Sequence, residues 1–317
     1  MKFTLPLLAC LFVHILQPIM AAESYLVMEA HSGRVLLAVD PEKKRPVASL
    51  TKIATSKVVL DWAKVSQTGL SAMASVPQSA LTFGAPNPMG LRAGDRISLR
   101  DALYSALLGS DNIAAQTLSD HVGRALLARR QHNGDPQKVF VSEMNKLAKA
   151  LGMRRTRFST AHGLDLPGKK GYSTASDMAR LSVHAMRDIG FTFYVKQKSR
   201  TITVIGIDGR KRSFKVANTN PLLGNMGING IKTGLTTAAG QCIAVNAHRS
   251  QIVKKISATR SQVRKRDLVV VVLGSTDRIG RAKQLITQAW PLYDQWAAAG
   301  YQVSPKGKEL IVVPKLR

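Results

Sequence analysis

A serine and a lysine three residues apart, Ser49 and Lys52 in the stretch PVASLTKIATSKVV, have types and spacing suited to nucleophilic chemistry. On a helix, this spacing brings both side chains to one face. A serine hydroxyl is a weak nucleophile at neutral pH and needs a base to take its proton. Lysine can be that base only when burial or a second cation lowers its pKa. An isolated match is also typical of a capping serine followed by a solvated lysine.

Two further motifs lie later in the chain. Ser110-Asp-Asn112 falls between two predicted helices, where a hydroxyl and an amide two residues apart can face one cleft. All three residue types are also common helix N-caps. Lys232-Thr-Gly234 falls on a predicted strand, where alternation places its lysine and glycine on one face. That lysine would offer a positive charge to a carboxylate and lower the pKa of the first lysine, and the glycine would let a ligand lie close.

The three motifs are more informative together than singly. The set S-x-x-K, S-D-N and K-T-G is the signature of class A β-lactamases and penicillin-binding proteins. Here the motifs occur in that order and in suitable settings, namely a helix start, a loop between helices and a strand. The set therefore predicts that Ser49 is a reactive centre.

The predicted elements form a strand pair, a helical block, further strands and a final helix. Strands are predicted over 24–29, 34–39, 201–206, 212–217, 230–234, 240–247 and 267–273, and helices over 49–64, 98–108, 113–122, 137–151, 173–189 and 278–290. Residues 249–266 read as a long basic connection. Because strands and helices hardly alternate, we expect an α+β fold with an antiparallel sheet flanked by helices and a helical subdomain.

The first residues resemble an export signal. Residues 1–22 combine one lysine, an apolar run and two final alanines, which predicts a secretory signal peptide. We expect a catalytic domain over 23–290 and a short extension over 291–317. No second apolar segment is long enough to cross a bilayer. Cleavage would leave Cys242 as the only cysteine, and we interpret it as a buried apolar side chain rather than a catalytic thiol.

The chain is strongly basic, with a formal net charge of +27. Such a charge favours polyanionic partners. The basic residues are spread along the chain without the interleaved aromatic residues of a single-strand binder, so we expect no nucleic-acid site. For an exported protein, the remaining anions are cell-wall polymers and membrane lipid. The seven histidines form no ligand-spaced cluster, and no metal or cofactor is expected.

Around the motifs, the chain resembles the low-molecular-weight penicillin-binding proteins of the D-alanyl-D-alanine carboxypeptidase family, the S11 serine peptidases. The resemblance spans roughly residues 24–290 and includes VASLTKIAT, MNKLAKALGM, TRFSTAHGLD, YSTASDMARL, NTNPLL and KTGLTTAAGQC. It implies a β-lactamase/transpeptidase-like fold and an enzyme that acts on peptidoglycan stem peptides. It also implies covalent inhibition by β-lactam antibiotics.

The resemblance implies a role for each motif residue. Ser49 would attack the carbonyl of the penultimate D-Ala, Lys52 would accept its proton, and Ser110 would relay a proton to the leaving amine. The N–H groups of Ser49 and Leu235 would form the oxyanion hole. The implied substrate-binding residues are Asn112, Lys232, Thr233, Gly234, Leu235 and Arg281, the last at a position where the family often has an arginine near the carboxylate.

Two departures from the commonest family pattern matter. The second motif is Ser-Asp-Asn where many members have Ser-Gly-Asn, and it is similar to that of endopeptidases that cut D-Ala–diaminopimelate cross-links. The stretch AAGQC points the same way. With 27 residues after Trp290, we also expect the family's C-terminal β domain and amphipathic anchor to be absent, and the enzyme to be periplasmic or wall-associated.

Two alternatives remain open at this stage. A class A β-lactamase would need a Glu-x-x-Leu-Asn motif, which Glu143-Met-Asn-Lys-Leu147 does not match. A non-catalytic protein could keep the fold and bind wall polymers through its basic surface.

Overall fold

Two antiparallel sheets and seven helices make up the described part of the chain, which in this computed structural model comprises residues 23–168, 170–303 and 309–316. The strands are β1 (Ser24–Glu29), β2 (Val35–Val39), β3 (Met73–Ser75), β4 (Arg96–Ser98), β5 (Ser199–Ile205), β6 (Lys211–Ala217), β7 (Ile228–Thr236), β8 (Gly240–Lys255) and β9 (Ser261–Ser275). The helices are α1 (Thr51–Val65), α2 (Leu99–Leu107), α3 (Asn112–Arg129), α4 (Pro136–Ala150), α5 (Ala175–Met186), α6 (Ile189–Val195) and α7 (Arg278–Ala298). The sheet orders are β2-β1-β9-β8-β7 and β3-β4-β5-β6.

The five-stranded sheet separates two hydrophobic cores. Its central strand β9 carries the run Leu268-Val-Val-Val-Val-Leu273, in which every side chain is buried. Alternate residues belong to different clusters: Val269 and Val271 pack with the helical block, whereas Val270 and Val272 pack with α7. A strand with helices on both faces needs apolar residues at consecutive positions, which explains the run.

Side-chain caps fix the helices that border the site. Ser98 accepts a hydrogen bond from the N–H of Asp101 at the start of α2, and Asp111 accepts one from Ala114 at the start of α3. Asp277 accepts two from the first turn of α7. Each cap satisfies backbone donors that have no partner inside the helix. The caps thereby fix the residues at which these helices begin.

The predicted α+β class, with an antiparallel sheet flanked by helices, is confirmed, but several helix boundaries are wrong. The helix predicted over 113–122 continues to Arg129, and the helix Ile189–Val195 was not predicted. The last helix does not end at Trp290 but runs to Ala298. Its final turns bury Tyr293 and Trp296 against the sheet, so a domain boundary at 290 falls inside a packed helix. Proline at 291 is tolerated within it.

The predicted basic connection over 249–266 is also wrong. β8 and β9 continue through it and pair as far as Lys255 and Ser261, which leaves only 256–260 as the turn. Among the described residues, no helix is both long and apolar enough to cross a membrane. The predicted signal peptide, 1–22, lies outside the described residues.

Candidate active site

Ser49 lies in a short 3₁₀ turn, Ala48–Leu50, directly before α1 rather than inside an α-helix. Ala48 has a φ of +47°, a left-handed conformation that is strained for a residue with a Cβ. Two glycines allow close packing here. A methyl group on Gly163 would come within 2.0 Å of the Ala48 carbonyl oxygen, and one on Gly234 within 3.1 Å of the Ser49 nitrogen. The backbone around the serine is therefore enclosed on two sides.

Lys52 is fully buried and its amine touches the serine. The Nζ atom lies 2.8 Å from Ser49 Oγ, 2.7 Å from Asn112 Oδ1 and 2.9 Å from the carbonyl oxygen of His162. Burial lowers the Lys52 pKa to about 7, against an opposing effect of the Asp111 carboxylate. Near neutral pH, a large fraction of this amine is therefore uncharged.

The partners of Lys52 determine where its lone pair points. A neutral amine has two N–H groups and one lone pair, and the oxygens of Asn112 and His162 can only accept hydrogen bonds. These two acceptors take both N–H groups. The third neighbour, the Ser49 hydroxyl, can donate, so the lone pair of Lys52 faces the proton that a nucleophilic serine must lose. This is the geometry of a general base.

The residues of the second motif have different roles: one caps a helix and another contacts Lys52. Asp111 is the N-cap of α3 and also accepts a hydrogen bond from Ser105 at 3.1 Å. Asn112 reaches Lys52. Ser110 has a φ of +61°, and within the described residues its hydroxyl makes no hydrogen bond, which leaves it available to a ligand. The alternative interpretation of this motif, a helix N-cap, therefore applies to Asp111 and not to Asn112.

The third motif brings a second buried lysine to the site. Burial and the positive charges of Lys52 and Arg278 lower the pKa of Lys232 well below its usual value. Its amine donates to the backbone carbonyl of Thr233 at 3.0 Å. Both lysines are shifted mainly by burial. Burial alone accounts for the lowered pKa of Lys52, and the expected contribution of the strand lysine to that shift is not seen.

The neighbours of this lysine on the strand differ in exposure. The Thr233 hydroxyl is buried and hydrogen-bonds to that of Thr219 at 2.7 Å, so it is held in a fixed direction. Leu235 is 61% exposed, so its side chain is not packed into this part of the protein. Gly234 lies against the backbone of Ser49, as described above. The third motif thus forms one wall beside the nucleophile.

The arginine beside the third motif is Arg278 and not Arg281. Arg278 donates to the carbonyl of Gly234 at 2.6 Å, and its Nε is buried without a hydrogen-bond partner among the described residues. Arg281 instead pairs with Glu23 and packs over the ring of Tyr25. The structure therefore brings Arg278 to the third motif, whereas Arg281, which the sequence assigned to the substrate carboxylate, lies three residues further along α7 beside Glu23.

Some groups that contact the site cannot be recognised in the sequence from the type of residue. His162 acts through its backbone carbonyl, while its ring accepts a hydrogen bond from Leu164 and stacks on Phe83, with centroids 4.5 Å apart. Any residue has that carbonyl. Cys242 is buried, as expected, and burial raises its pKa to about 11. It is a packing residue of β8 rather than a nucleophile.

The site as a whole can carry out acyl transfer through a serine ester. It has a hydroxyl with a partly neutral amine as base, strained backbone beside the nucleophile, and a wall of hydrogen-bond donors from Lys232, Thr233 and Arg278 that suits a carboxylate. These are the features of active-site-serine enzymes that use lysine in place of histidine.

Comparisons with known proteins agree with this class. The profile of the D-alanyl-D-alanine carboxypeptidase family, Peptidase S11, matches residues 13–259. The chain is 32% identical over 286 residues to D-alanyl-D-alanine carboxypeptidase DacC of Escherichia coli, covering 87% of this chain and 63% of that protein. It is 32% identical over 234 residues to the D-alanyl-D-alanine endopeptidase of Pseudomonas aeruginosa, covering 73% and 68%.

The fold is similar to that of a solved enzyme. The Streptomyces K15 DD-transpeptidase matches with a TM-score of 0.72 and 27% identity, covering 87% of this chain and 99% of that one. The chain therefore belongs to the S11 D-alanyl-D-alanine carboxypeptidase family, and the resemblance and the transpeptidase-like fold expected from the sequence are confirmed. It spans only 63% and 57% of the length of the curated carboxypeptidases DacC of Escherichia coli and DacA of Haemophilus influenzae.

Proposed function

We propose that this protein is a penicillin-binding serine DD-peptidase that acts on the D-alanyl peptides of peptidoglycan. The observation that carries the proposal is the buried Lys52 amine, 2.8 Å from Ser49 Oγ with both its N–H groups held by acceptors. Ser49 attacks the carbonyl of the penultimate D-Ala as its proton passes to Lys52. The leaving amine takes a proton through Ser110, and water then hydrolyses the ester and restores the serine.

The donors contributed by the third motif and Arg278 support a substrate that ends in a carboxylate. Lys232, Thr233 and Arg278 carry hydrogen-bond donors on β7 and at the start of α7, next to the backbone of Ser49. The N–H groups of Ser49 and Leu235 would hold the oxyanion of the tetrahedral intermediate. A β-lactam antibiotic offers a carboxylate and a reactive carbonyl in one molecule, so it would acylate the same serine.

The expected location is the periplasm or the cell wall. It is supported by the signal-like residues 1–22 and by a net charge of +27, which favours contact with anionic wall polymers or lipid. The relatives named above carry names that refer to D-alanyl peptides, which are wall components.

The motif details favour a cross-link endopeptidase activity beside carboxypeptidase activity. The chain has Ser-Asp-Asn at the second motif, and a named endopeptidase is among its relatives at 32% identity. Digestion of purified murein, followed by separation of the products, tests the proposal. Loss of cross-linked dimers identifies an endopeptidase, and shortening of pentapeptides to tetrapeptides identifies a carboxypeptidase. An unchanged digest together with no covalent labelling by penicillin would contradict the proposed function.

A class A β-lactamase would need a glutamate that is free to activate water for deacylation, and Glu143 does not provide one. Glu143 lies on α4 and pairs with Arg130 at 2.7 Å and with Lys146 at 2.9 Å, so its carboxylate is committed to surface cations. We therefore expect a long-lived penicilloyl ester on Ser49. Mass spectrometry over time would detect it, and rapid return of the unmodified mass would instead indicate a β-lactamase.

The acylation rate is expected to rise with pH through neutrality. Because burial lowers the Lys52 pKa to about 7, the base form is scarce below that pH and dominates above it. The second-order rate of labelling by a fluorescent penicillin should increase about tenfold per pH unit below 7 and level off above it. A rate that stays constant from pH 5 to 9 would exclude the lysine as the base.

Arg278 and Arg281 offer a matched pair of variants on one helix. We expect Arg278→Ala to lower kcat/KM for a D-Ala-D-Ala peptide by about 10- to 100-fold, because a hydrogen bond to a charged group is lost. Arg281→Ala should change it by less than about twofold, since this residue contacts Glu23 instead. With a peptide whose terminal carboxylate is amidated, the difference between the two variants should disappear. A difference that persists would indicate a purely structural role of Arg278.

A further inference from the structure

A two-stranded ribbon extends beyond the edge of the five-stranded sheet. The neighbours of its strands stop first: Ile228 of β7 pairs with Ala247, and Glu29 of β1 pairs with Leu268. Beyond these pairs only β8 and β9 continue, and they form a hairpin over residues 249–266. We call residues 249–266 the basic hairpin. An isolated two-stranded hairpin has little stability of its own, so its length calls for an explanation.

The basic hairpin has an unusual composition. It contains seven Lys and Arg residues and no Asp or Glu; the cations are Arg249, Lys254, Lys255, Arg260, Arg264, Lys265 and Arg266. It also carries four well-exposed aliphatic side chains, which are Ile252 (41%), Val253 (56%), Ile256 (61%) and Val263 (52%). These aliphatic residues add nothing to the two cores, because they are not members of either cluster.

The base of the basic hairpin is fixed to the body of the protein. Arg249 lies over the ring of Trp290 at 4.3 Å and pairs with Asp294 of α7 at 3.1 Å. Arg264 lies over the ring of Tyr301 at 3.4 Å. Cations held on aromatic faces in this way orient the ribbon. The hairpin is therefore presented in a set direction.

The tip of the basic hairpin, near residues 254–260, differs from its base in how its cations are paired. Among the described residues, Lys254, Lys255 and Arg260 form no ion pair and no side-chain hydrogen bond. The pairing of Val253 with Val263 puts these two on one face together with Lys255. Ile252 shares the opposite face with Lys254. Each face of the tip therefore mixes unpaired cations with exposed aliphatic groups.

The combination of cations and exposed aliphatic side chains at the tip favours one kind of partner over the others. A second copy of the chain is disfavoured, because seven like charges would repel one another. A water-soluble polyanion would bind the cations but would leave the aliphatic groups in water. The interface of an anionic bilayer satisfies both, since phosphates lie beside the cations and the acyl boundary receives the aliphatic side chains.

We propose that the tip of the basic hairpin docks onto an anionic lipid surface. Lys232 pairs with Ala244 of β8, and Lys255 is eleven residues further along the same strand. At about 3.3 Å per residue, the tip is roughly 35 Å along the strand from the position opposite Lys232. A docked hairpin would hold the cleft well away from the headgroups, on the side where wall polymer lies.

Co-sedimentation of the full chain with vesicles tests the proposal. The probes are vesicles of phosphatidylcholine with phosphatidylglycerol, and vesicles of phosphatidylcholine alone. The triple variant Lys254→Gln, Lys255→Gln, Arg260→Gln should bind the anionic vesicles on the order of 100-fold more weakly, at roughly fivefold per cation. All proteins carry the same residues 1–22, so any binding by that segment is common to them.

The β5–β6 hairpin supplies a matched control. Arg210→Gln, Lys211→Gln, Lys215→Gln removes the same charge from another exposed hairpin, and we expect vesicle binding to change by less than about twofold. A second variant, Val253→Thr, Ile256→Thr, Val263→Thr, keeps β-branched residues in all positions and should weaken binding roughly 10-fold. Thermal unfolding should be similar for all variants, because the changed side chains are exposed.

Three results would overturn the proposal. Equal losses in the two charge variants would indicate an unspecific effect of net charge. Unchanged binding by the triple Gln variant at the tip would exclude the hairpin. Full binding by the aliphatic variant, with displacement by soluble polyphosphate, would identify an anionic polymer as the partner. Labelling by penicillin is measured separately on each variant, so failure of the docking proposal does not bear on the proposed function.

Discussion

Replacing Ser49 with alanine should abolish covalent labelling by penicillin and reduce turnover of a D-Ala-D-Ala peptide by at least about 10⁴-fold. The loss is this large because, within the described ranges, Ser49 carries the one hydroxyl that is hydrogen-bonded to the buried Lys52 amine. Removal of an enzyme's nucleophile typically costs several orders of magnitude in kcat. Labelling with fluorescent penicillin and a D-Ala release assay provide the two measurements.

A matched variant separates loss of chemistry from loss of fold. Ser56 lies on α1, is also buried, and its hydroxyl makes no hydrogen bond among the described residues. Ser56→Ala should therefore leave labelling and turnover nearly unchanged. Residual peptidase activity of Ser49→Ala close to that of the parent would show that the serine is not the nucleophile, and would favour the non-catalytic wall-binding alternative.

Replacing Lys52 with arginine should lower the acylation rate by about 10³-fold, even though the positive charge is kept. A guanidinium stays protonated across the accessible pH range, so it cannot accept the proton of Ser49. Loss of a general base is worth about 10² to 10⁴ in rate. The rate of penicillin labelling should also fail to rise with pH in this variant, in contrast to the parent enzyme.

Lys57 on the same helix is the matched control for this substitution. It is buried as well, but its amine is paired with Asp61 at 2.8 Å and with Asp188 at 2.5 Å, so its role requires a charge and not a base. Lys57→Arg should label at nearly the parental rate. If Lys52→Met, which keeps a similar shape without a base, labelled as fast as the parent, the serine would have to be activated by another group.

The sequence predicted which side chains come together at the site, but not the backbone groups that surround them. The three motifs each carry side chains whose types are specific, and Ser49, Lys52, Asn112 and Lys232 all lie where the first, second and third motifs meet in the structure. The α+β class followed from the order of periodic segments. Both are properties that residue types alone determine.

Features that depend on backbone or on tertiary packing were not predictable. The carbonyl of His162 contacts Lys52, but a carbonyl is common to all residues. The choice between Arg278 and Arg281 depends on which face of α7 meets β7, and both arginines lie within the first four residues of that helix. The sequence predicts a loop over residues 249–266, where β8 and β9 in fact continue. A strand with two exposed faces lacks the alternation of apolar and polar residues from which strands are predicted.

The two buried lysines of the first and third motifs are linked by charge. The charge on Lys52 lowers the pKa of Lys232, and coupling between two protonation sites is reciprocal. Because burial also disfavours the charged form of each amine, a proton held by one of them favours the neutral form of the other. A substitution at either lysine is therefore expected to be felt at its counterpart, so the two motifs cannot be altered as independent parts.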